Sequence, residues 1–180
     1  GTSICGINAG NGESSNGIYK GIATNSELHV FKAFDKLGKG LVSDVLLSIE
    51  ELILLKDQYN IRILCLPFEL LTFNNFIYTL FDNIFTKAVN SSIIPVLPSG
   101  SNRDEASTIT GPALSPHCIT VAGLDTSGET KSYAYSSCGD VQKDIKPNFS
   151  AACVDLISLN RNISFVPVKN NIKLYPPKLD

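Results

Sequence analysis

Three short apolar runs, IRILCLPF, SIIPVLPSG and CITVAGLD, set the terms on which this chain can fold. Each is short and apolar enough to be a strand buried on both faces, the signature of a parallel sheet rather than a half-solvated antiparallel one. Parallel neighbours are joined only through crossovers, and the stretches between carry a helical repeat. From Ser43, a candidate cap, Val45, Leu46, Ile49, Leu52 and Ile53 recur at three- and four-residue spacing, with Asp44, Glu50 and Glu51 in the N-terminal half. That helix is expected to end near DQYN. A second, NNFIYTLFDNIFTKAVNS, is expected to put Phe76, Leu80, Ile84 and Ala88 on one stripe. Alternating strands and helices predict an α/β fold, a doubly wound parallel sheet with helices on both faces. Such sheets bind ligands beyond the carboxyl ends of their strands, which directs attention to the loops DKLGKG, PFELLTFNN and LPSGSNRD.

The flanking segments are less regular. The first twelve residues, rich in small side chains with Ile4 and Ile7 three apart, read as a short helix packed close to its neighbours. The alternation in ELHVFKAF predicts a strand offering Leu28, Val30 and Ala33 or Phe34 to a core. Towards the other end, KSYAYSS and KPNFSAACVDLISL carry strand-like portions, NRNISFVPVKNN reads as a hairpin or an extended tail, and prolines hold YPPKLD extended.

At 180 residues and 43% hydrophobic content the chain suits one globular domain spanning residues 1–180. A net charge of -2, with Lys and Arg scattered, leaves no basic stripe for a phosphate backbone, so nucleic acid is not an expected partner. Charges or prolines interrupt DVLLSIEELILL and IRILCLPFELL well short of a membrane span. No signal peptide is evident. Gly comes first and Met is absent, so processing or origin from a longer chain is expected. Five widely spaced cysteines, Cys5, Cys65, Cys118, Cys138 and Cys153, fit neither a disulfide framework nor a zinc site, and read as buried small hydrophobes in a reducing compartment.

Read as one unit, GTSICGINAGNGESSNGIYKGIATNSELHVFKAFD resembles the stretch of subtilisin-like serine proteases that begins HGTHVAGI and runs through a glycine-rich loop into a strand. The likeness continues in order: YNIRILCLPF stands where the family has a strand ending S-L-G, and IIPVLPSGSN where it has A-A-G-N. TITGPALSPHCITVAGLD matches T-S-P-A-x-x-P-x-V-I-T-V-G-A-x-D, and YSSCG with KPNFSAACVDLIS matches F-S-S-x-G and K-P-D-V-x-A-P-G-V-x-I. Coverage is strongest over residues 1–158, with 159–180 a poorly defined tail.

The resemblance implies a subtilase-type fold and peptide-bond hydrolysis through an acyl-enzyme, with a peptide or protein as substrate. It places the catalytic His just before Gly1, the Asp further upstream, and the nucleophile in a G-T-S-M-A block after the matched segments. Ser3 then replaces a second, non-catalytic His, and Ser3 and Cys5 are packing residues. His29 and His117 lack an acid and a nucleophile at matching positions and are expected to be structural. For the oxyanion donor the resemblance offers Ser101, at the family's Asn position, or Asn102 one place later. It implies substrate contacts from Gly38, Lys39 and Gly40 on one edge, Pro67, Phe68 and Glu69 on the other, and Pro98, Ser99 and Gly100 between them. Pro67 removes one backbone donor, and Glu69 brings bulk where the family has glycine. No cofactor or metal site is expected; Glu13, Asp104 and Glu105 are calcium candidates, with solvated surface charge preferred.

Two functions remain open on these residues: part of a working endopeptidase, or a non-catalytic pseudoprotease that binds a peptide or regulates a partner protease. A nucleotide-binding sheet would need a glycine fingerprint after the first strand, and there is none. Because the family's Asp-bearing strand is interior to its sheet, the 180 residues alone are expected to leave two strand edges for the rest of a parent protein, another chain or a second copy. Localisation stays open: family resemblance points outside the cell, the unpaired cysteines inside.

Overall fold

The computed structural model describes residues 1–103, 107–139 and 146–162, with the backbone of 168–169 and 172–173. Asp104, Glu105 and the final YPPKLD lie outside the described residues. The chain divides into two compact units, Gly1–Lys32 with Leu156–Asp180, and Ala33–Asp155.

In the first unit the small-residue opening forms helix α1, Thr2–Ala9. A helix leaves its last carbonyls without intrahelical donors, and here a following strap supplies them. Ile22 N donates to Ile7 O (3.0 Å) and Ala23 N to Asn8 O (2.7 Å). The strap lies so close that a Cβ on Gly21 would stand 2.6 Å from Gly10 N and 2.7 Å from Ala9 N, which only glycine avoids. Ser158 Oγ donates to Ser3 O (2.6 Å), beside Gly6, whose missing side chain makes room for Ser158 and Leu159. Ser3 thus contributes a carbonyl to packing. Strands β6 (Val168–Lys169) and β7 (Ile172–Lys173) pair antiparallel, the hairpin alternative for this stretch.

The expected strand ELHVFKAF does not form: residues 26–34 belong to no helix or strand, and Leu28 and Val30 are exposed. Alternation makes a segment fit for a sheet, but only a neighbouring backbone makes it a strand, and among the described residues no ladder reaches this segment.

The second unit carries the sheet. Helix α2 (Val42–Tyr59) leads to β1 (Ile63–Cys65), and helix α3 (Asn75–Asn90) crosses over to β2 (Ile94–Pro98). A short 3-10 turn, Gly111–Leu114, precedes β3 (Ile119–Asp125), followed by β4 (Lys131–Ser132) and β5 (Phe149–Ala152). β1, β2, β3 and β5 are parallel neighbours in that order, and β4 pairs antiparallel with the end of β3. The register puts Leu64 beside Pro95 and Leu97 beside Thr120 on one face. Against that face pack Val45, Ile49 and Leu52 of α2 and Phe81, Ile84, Phe85 and Ala88 of α3.

Two helix details differ from expectation. Leu41, not Ser43, is the N-cap of α2: its extended backbone aims its carbonyl at Asp44 N (3.1 Å) and Val45 N (3.3 Å), leaving Ser43 inside the first turn. In α3, Phe76 is 68% exposed and the buried residues are Phe81, Ile84, Phe85 and Ala88. The row Phe76, Leu80, Ile84, Ala88 repeats strictly every four residues, and each such step overshoots a 3.6-residue turn by about 40°, so its far end swings out of the core. Asn74 caps α3 by accepting from Phe76 N (2.9 Å).

Candidate functional site

The carboxyl ends of β1 and β2 lie side by side and open onto a pocket. Phe68, Glu69 and Leu70 line it from the β1 side. Leu97, Pro98, Ser99, Gly100 and Asn102 line it from the β2 side, and Thr110, Pro112 and Ala113 close it. About 250 Å³ of space not filled by protein, open solvent included, lies among these residues.

Each loop is held by its own short bonds. Leaving β1, Leu66 N still reaches Val96 O (2.9 Å), but Phe68 N turns back to Leu66 O (2.9 Å). That turn sends the Glu69 side chain across to the opposite loop, where Oε2 accepts from Ser101 N (2.5 Å) and Ser101 Oγ (3.0 Å). The crossing requires glycine at 100: φ is +112°, and a Cβ there would stand 3.0 Å from Ser137 Oγ and 3.1 Å from Glu69 Oε2.

The rest of this loop is fastened to the segment after β4. Ser137 N donates to Gly100 O (3.0 Å), Asn102 N to Ser137 Oγ (2.9 Å), and Asn102 Nδ2 to Thr108 O (3.4 Å). Buried Ser99 shares a hydroxyl contact with Ser136 (3.1 Å). Both oxyanion candidates are therefore engaged internally, Ser101 with Glu69 and Asn102 with Thr108 and Ser137.

Gly38, Lys39 and Gly40 are not in the pocket lining. They form a tight loop in which Asp35 Oδ1 accepts from Leu37 N (2.8 Å) and Lys39 N (2.9 Å), while Asp35 N donates to Lys39 O (2.8 Å). Gly40 packs against Phe34, whose ring meets that of Phe68 with centroids 5.7 Å apart. This aromatic contact links the glycine loop to the Pro67–Glu69 segment.

Leu70, Leu97, Thr110, Pro112 and Ala113 complete the pocket and were not among the expected site residues. The signal for three of them was the Thr-Gly-Pro-Ala run: Gly111 has φ +59°, and a Cβ there would stand 2.5 Å from Leu70 O. Thr110 Oγ1 donates to the same carbonyl (3.3 Å).

A second polar cluster occupies the other end of the sheet, where α3 meets the residues entering β3. Asp82 Oδ1 accepts from Ser115 Oγ (2.6 Å) and lies 3.1 Å from His117 Nδ1. Thr86 Oγ1 also lies 3.2 Å from that nitrogen, but donates its proton to Asp82 O (2.8 Å), so the Nδ1 proton is shared towards Asp82. Burial pushes the Asp82 carboxyl up, but the bonds from Ser115 and His117 and the His117 charge outweigh it, holding the group below its ordinary value.

Ser, His and Asp meet here in the wrong arrangement for catalysis. Ser115 is fully buried and gives its proton to the acid rather than to a histidine, so no nucleophile is activated. His117 staples a helix to a strand. His29, with Nε2 3.8 Å from Glu27 Oε1, lies in the other unit.

Lys146 is buried, and no carboxylate among the described residues forms an ion pair with it. Its Nζ donates to Cys118 O (2.5 Å), Thr120 Oγ1 (3.0 Å) and Asn148 Oδ1 (3.0 Å). The Cys118 thiol beside it is pushed up by burial, against the opposing pull of the lysine charge. Among the described residues no cluster of three His, Cys, Asp or Glu side chains is placed to hold a metal, and no helix is long and apolar enough to cross a membrane.

The family model described as the subtilase family, Peptidase_S8, matches residues 1–173. Serine protease AprX of Bacillus subtilis (strain 168) is 28% identical over 181 residues, covering 92% of this chain and 40% of its own length. Among solved structures, S41 psychrophilic protease and sphericase each superpose with a TM-score of 0.66, at 20% and 21% identity, over 78% of this chain and 45% of theirs. The prenylagaramide maturation protease PagA superposes with a TM-score of 0.62 at 20% identity, over 78% of this chain and 47% of its own. The chain thus spans less than half the length of each of these relatives.

Proposed function

We propose, from the premise that the chain belongs to the subtilase family, that it forms the peptide-holding core of a serine endopeptidase domain. The observation that carries this reading is the pocket at the adjoining carboxyl ends of β1 and β2. An extended peptide would run between the Gly38–Gly40 loop and the Pro67–Glu69 segment, whose separation is set by the Phe34–Phe68 contact. Hydrolysis in the whole protein would pass through an acyl-enzyme, with a Ser nucleophile, a His to take its proton and an Asp to orient that His.

The family resemblance matches no residue of this chain to a triad position. For these residues by themselves we infer no peptide hydrolysis. A second reading, a non-catalytic relative that binds peptide or regulates a partner protease, is favoured by one contact: Glu69 occupies both the N–H and the hydroxyl of Ser101. A carboxylate at the oxyanion side opposes the negative charge that must develop there.

Labelling of the full protein with a fluorophosphonate separates these readings. The first expects a covalent adduct on a serine outside residues 1–180. An adduct on Ser3, Ser115 or any other serine within them would overturn it, and no adduct in a protein that still binds peptide would favour the second.

A further inference from the structure

We propose that the pocket receives a lysine or arginine side chain of an extended peptide, with the Glu69 carboxylate as its counter-charge. The inference rests on the peptide-holding reading above and adds to it the class of side chain selected.

Among the described residues that line the pocket, Glu69 is the charged one. The walls around it are mixed: Phe68, Leu70, Leu97, Pro112 and Ala113 are apolar, and Ser99, Asn102 and Thr110 add polar but uncharged groups. Glu69 is itself exposed, so a carboxylate at the edge of this lining discriminates by charge. An aliphatic side chain would strip water from the charge without replacing it, and an acidic one would be repelled. A lysine or arginine satisfies both parts of the surface, its methylene stem against the walls and its charged head on the acid.

The carboxylate is also fixed in advance. Both hydrogen bonds from Ser101, on its N–H and on its Oγ, fall on Oε2, which leaves Oε1 as the acceptor for an incoming cation. Gly100 leaves the space that this arrangement needs. Holding the side chain beforehand removes part of the ordering cost that makes most exposed ion pairs weak. No Lys or Arg among the described residues forms an ion pair with Glu69, which leaves the carboxylate open to a cation from a peptide.

The test uses the full protein and acetylated tetrapeptide amides identical except for the last residue, which is Arg, Lys, Gln, Leu or Glu. Dissociation constants are measured at low and at high salt, for the natural sequence and for Glu69→Gln, which keeps the size and the acceptor oxygen but removes the charge. The Arg and Lys peptides are expected to bind about fivefold more tightly than the Gln peptide, with the Glu peptide weakest. That preference should shrink as salt rises and vanish in Glu69→Gln.

Equal binding of the Arg, Gln and Leu peptides would overturn the inference while leaving the peptide cleft standing, as would a cation preference that survives Glu69→Gln. Binding of none of the peptides would overturn the cleft itself and the inference with it.

Discussion

Phe85→Ala is expected to cost about 3–5 kcal/mol of stability. Phe85 is fully buried, its ring 5.8 Å from that of Phe81, within the cluster that joins α2 and α3 to the inner face of the sheet. Alanine would forfeit both the transfer energy of the ring and the contacts its neighbours lose around the void. Phe76→Ala, on the same helix but 68% exposed, should change stability by about 0.5 kcal/mol or less. Urea unfolding of both variants reads the contrast as a shifted midpoint at constant slope. Equal losses would mean that α3 presents its other side to the core.

Lys146→Met should cost about 2–4 kcal/mol, although the replacement has similar length and is apolar in a buried place. The ammonium joins the backbone of Cys118, the hydroxyl of Thr120 and the amide oxygen of Asn148, stitching the start of β3 to the residues that lead into β5. Asn148 Oδ1 in turn accepts from Thr120 N (2.8 Å). Removing the donor leaves these buried acceptors one hydrogen bond short. Lys146→Arg is not expected to rescue, because a planar fork cannot meet acceptors gathered around a single nitrogen. A Met variant as stable as the natural chain would show that these acceptors find other donors.

The parallel β-sheet was legible from short runs without polar alternation, but its strands are not buried on both faces: Ile63, Cys65 and Ile94 are exposed while Leu64, Pro95 and Leu97 are buried. The helix ends were partly legible: Asn60, which ends α2 in a left-handed conformation, sits in the expected DQYN. Ser43 misled because the capping preference of serine is a tendency of composition, whereas the cap is set by which backbone turns extended, and that was Leu41. ELHVFKAF misled for a related reason, since alternation describes a surface and pairing requires a partner.

In the site, the residues contributed by β1 and β2 were legible from topology and family resemblance together. The bond from Ser101 to Glu69 was not, because it joins residues 32 positions apart through a side chain that the family's glycine lacks. The same holds for Lys146, two of whose acceptors lie 26 and 28 positions away at the start of β3. Local pattern reports what a segment can do, and such contacts depend on what the fold brings beside it.

The central claim is that a peptide lies along the loops at the carboxyl ends of β1 and β2. Amide hydrogen exchange of the full protein, with and without a saturating extended peptide, tests it most directly. Slowed exchange on binding is predicted at Gly38–Gly40, at residues 68–70 and at residues 99–102, with none at the His117 and Asp82 cluster. Protection confined to that cluster, or absent from all three loops while the peptide is bound, would contradict the account.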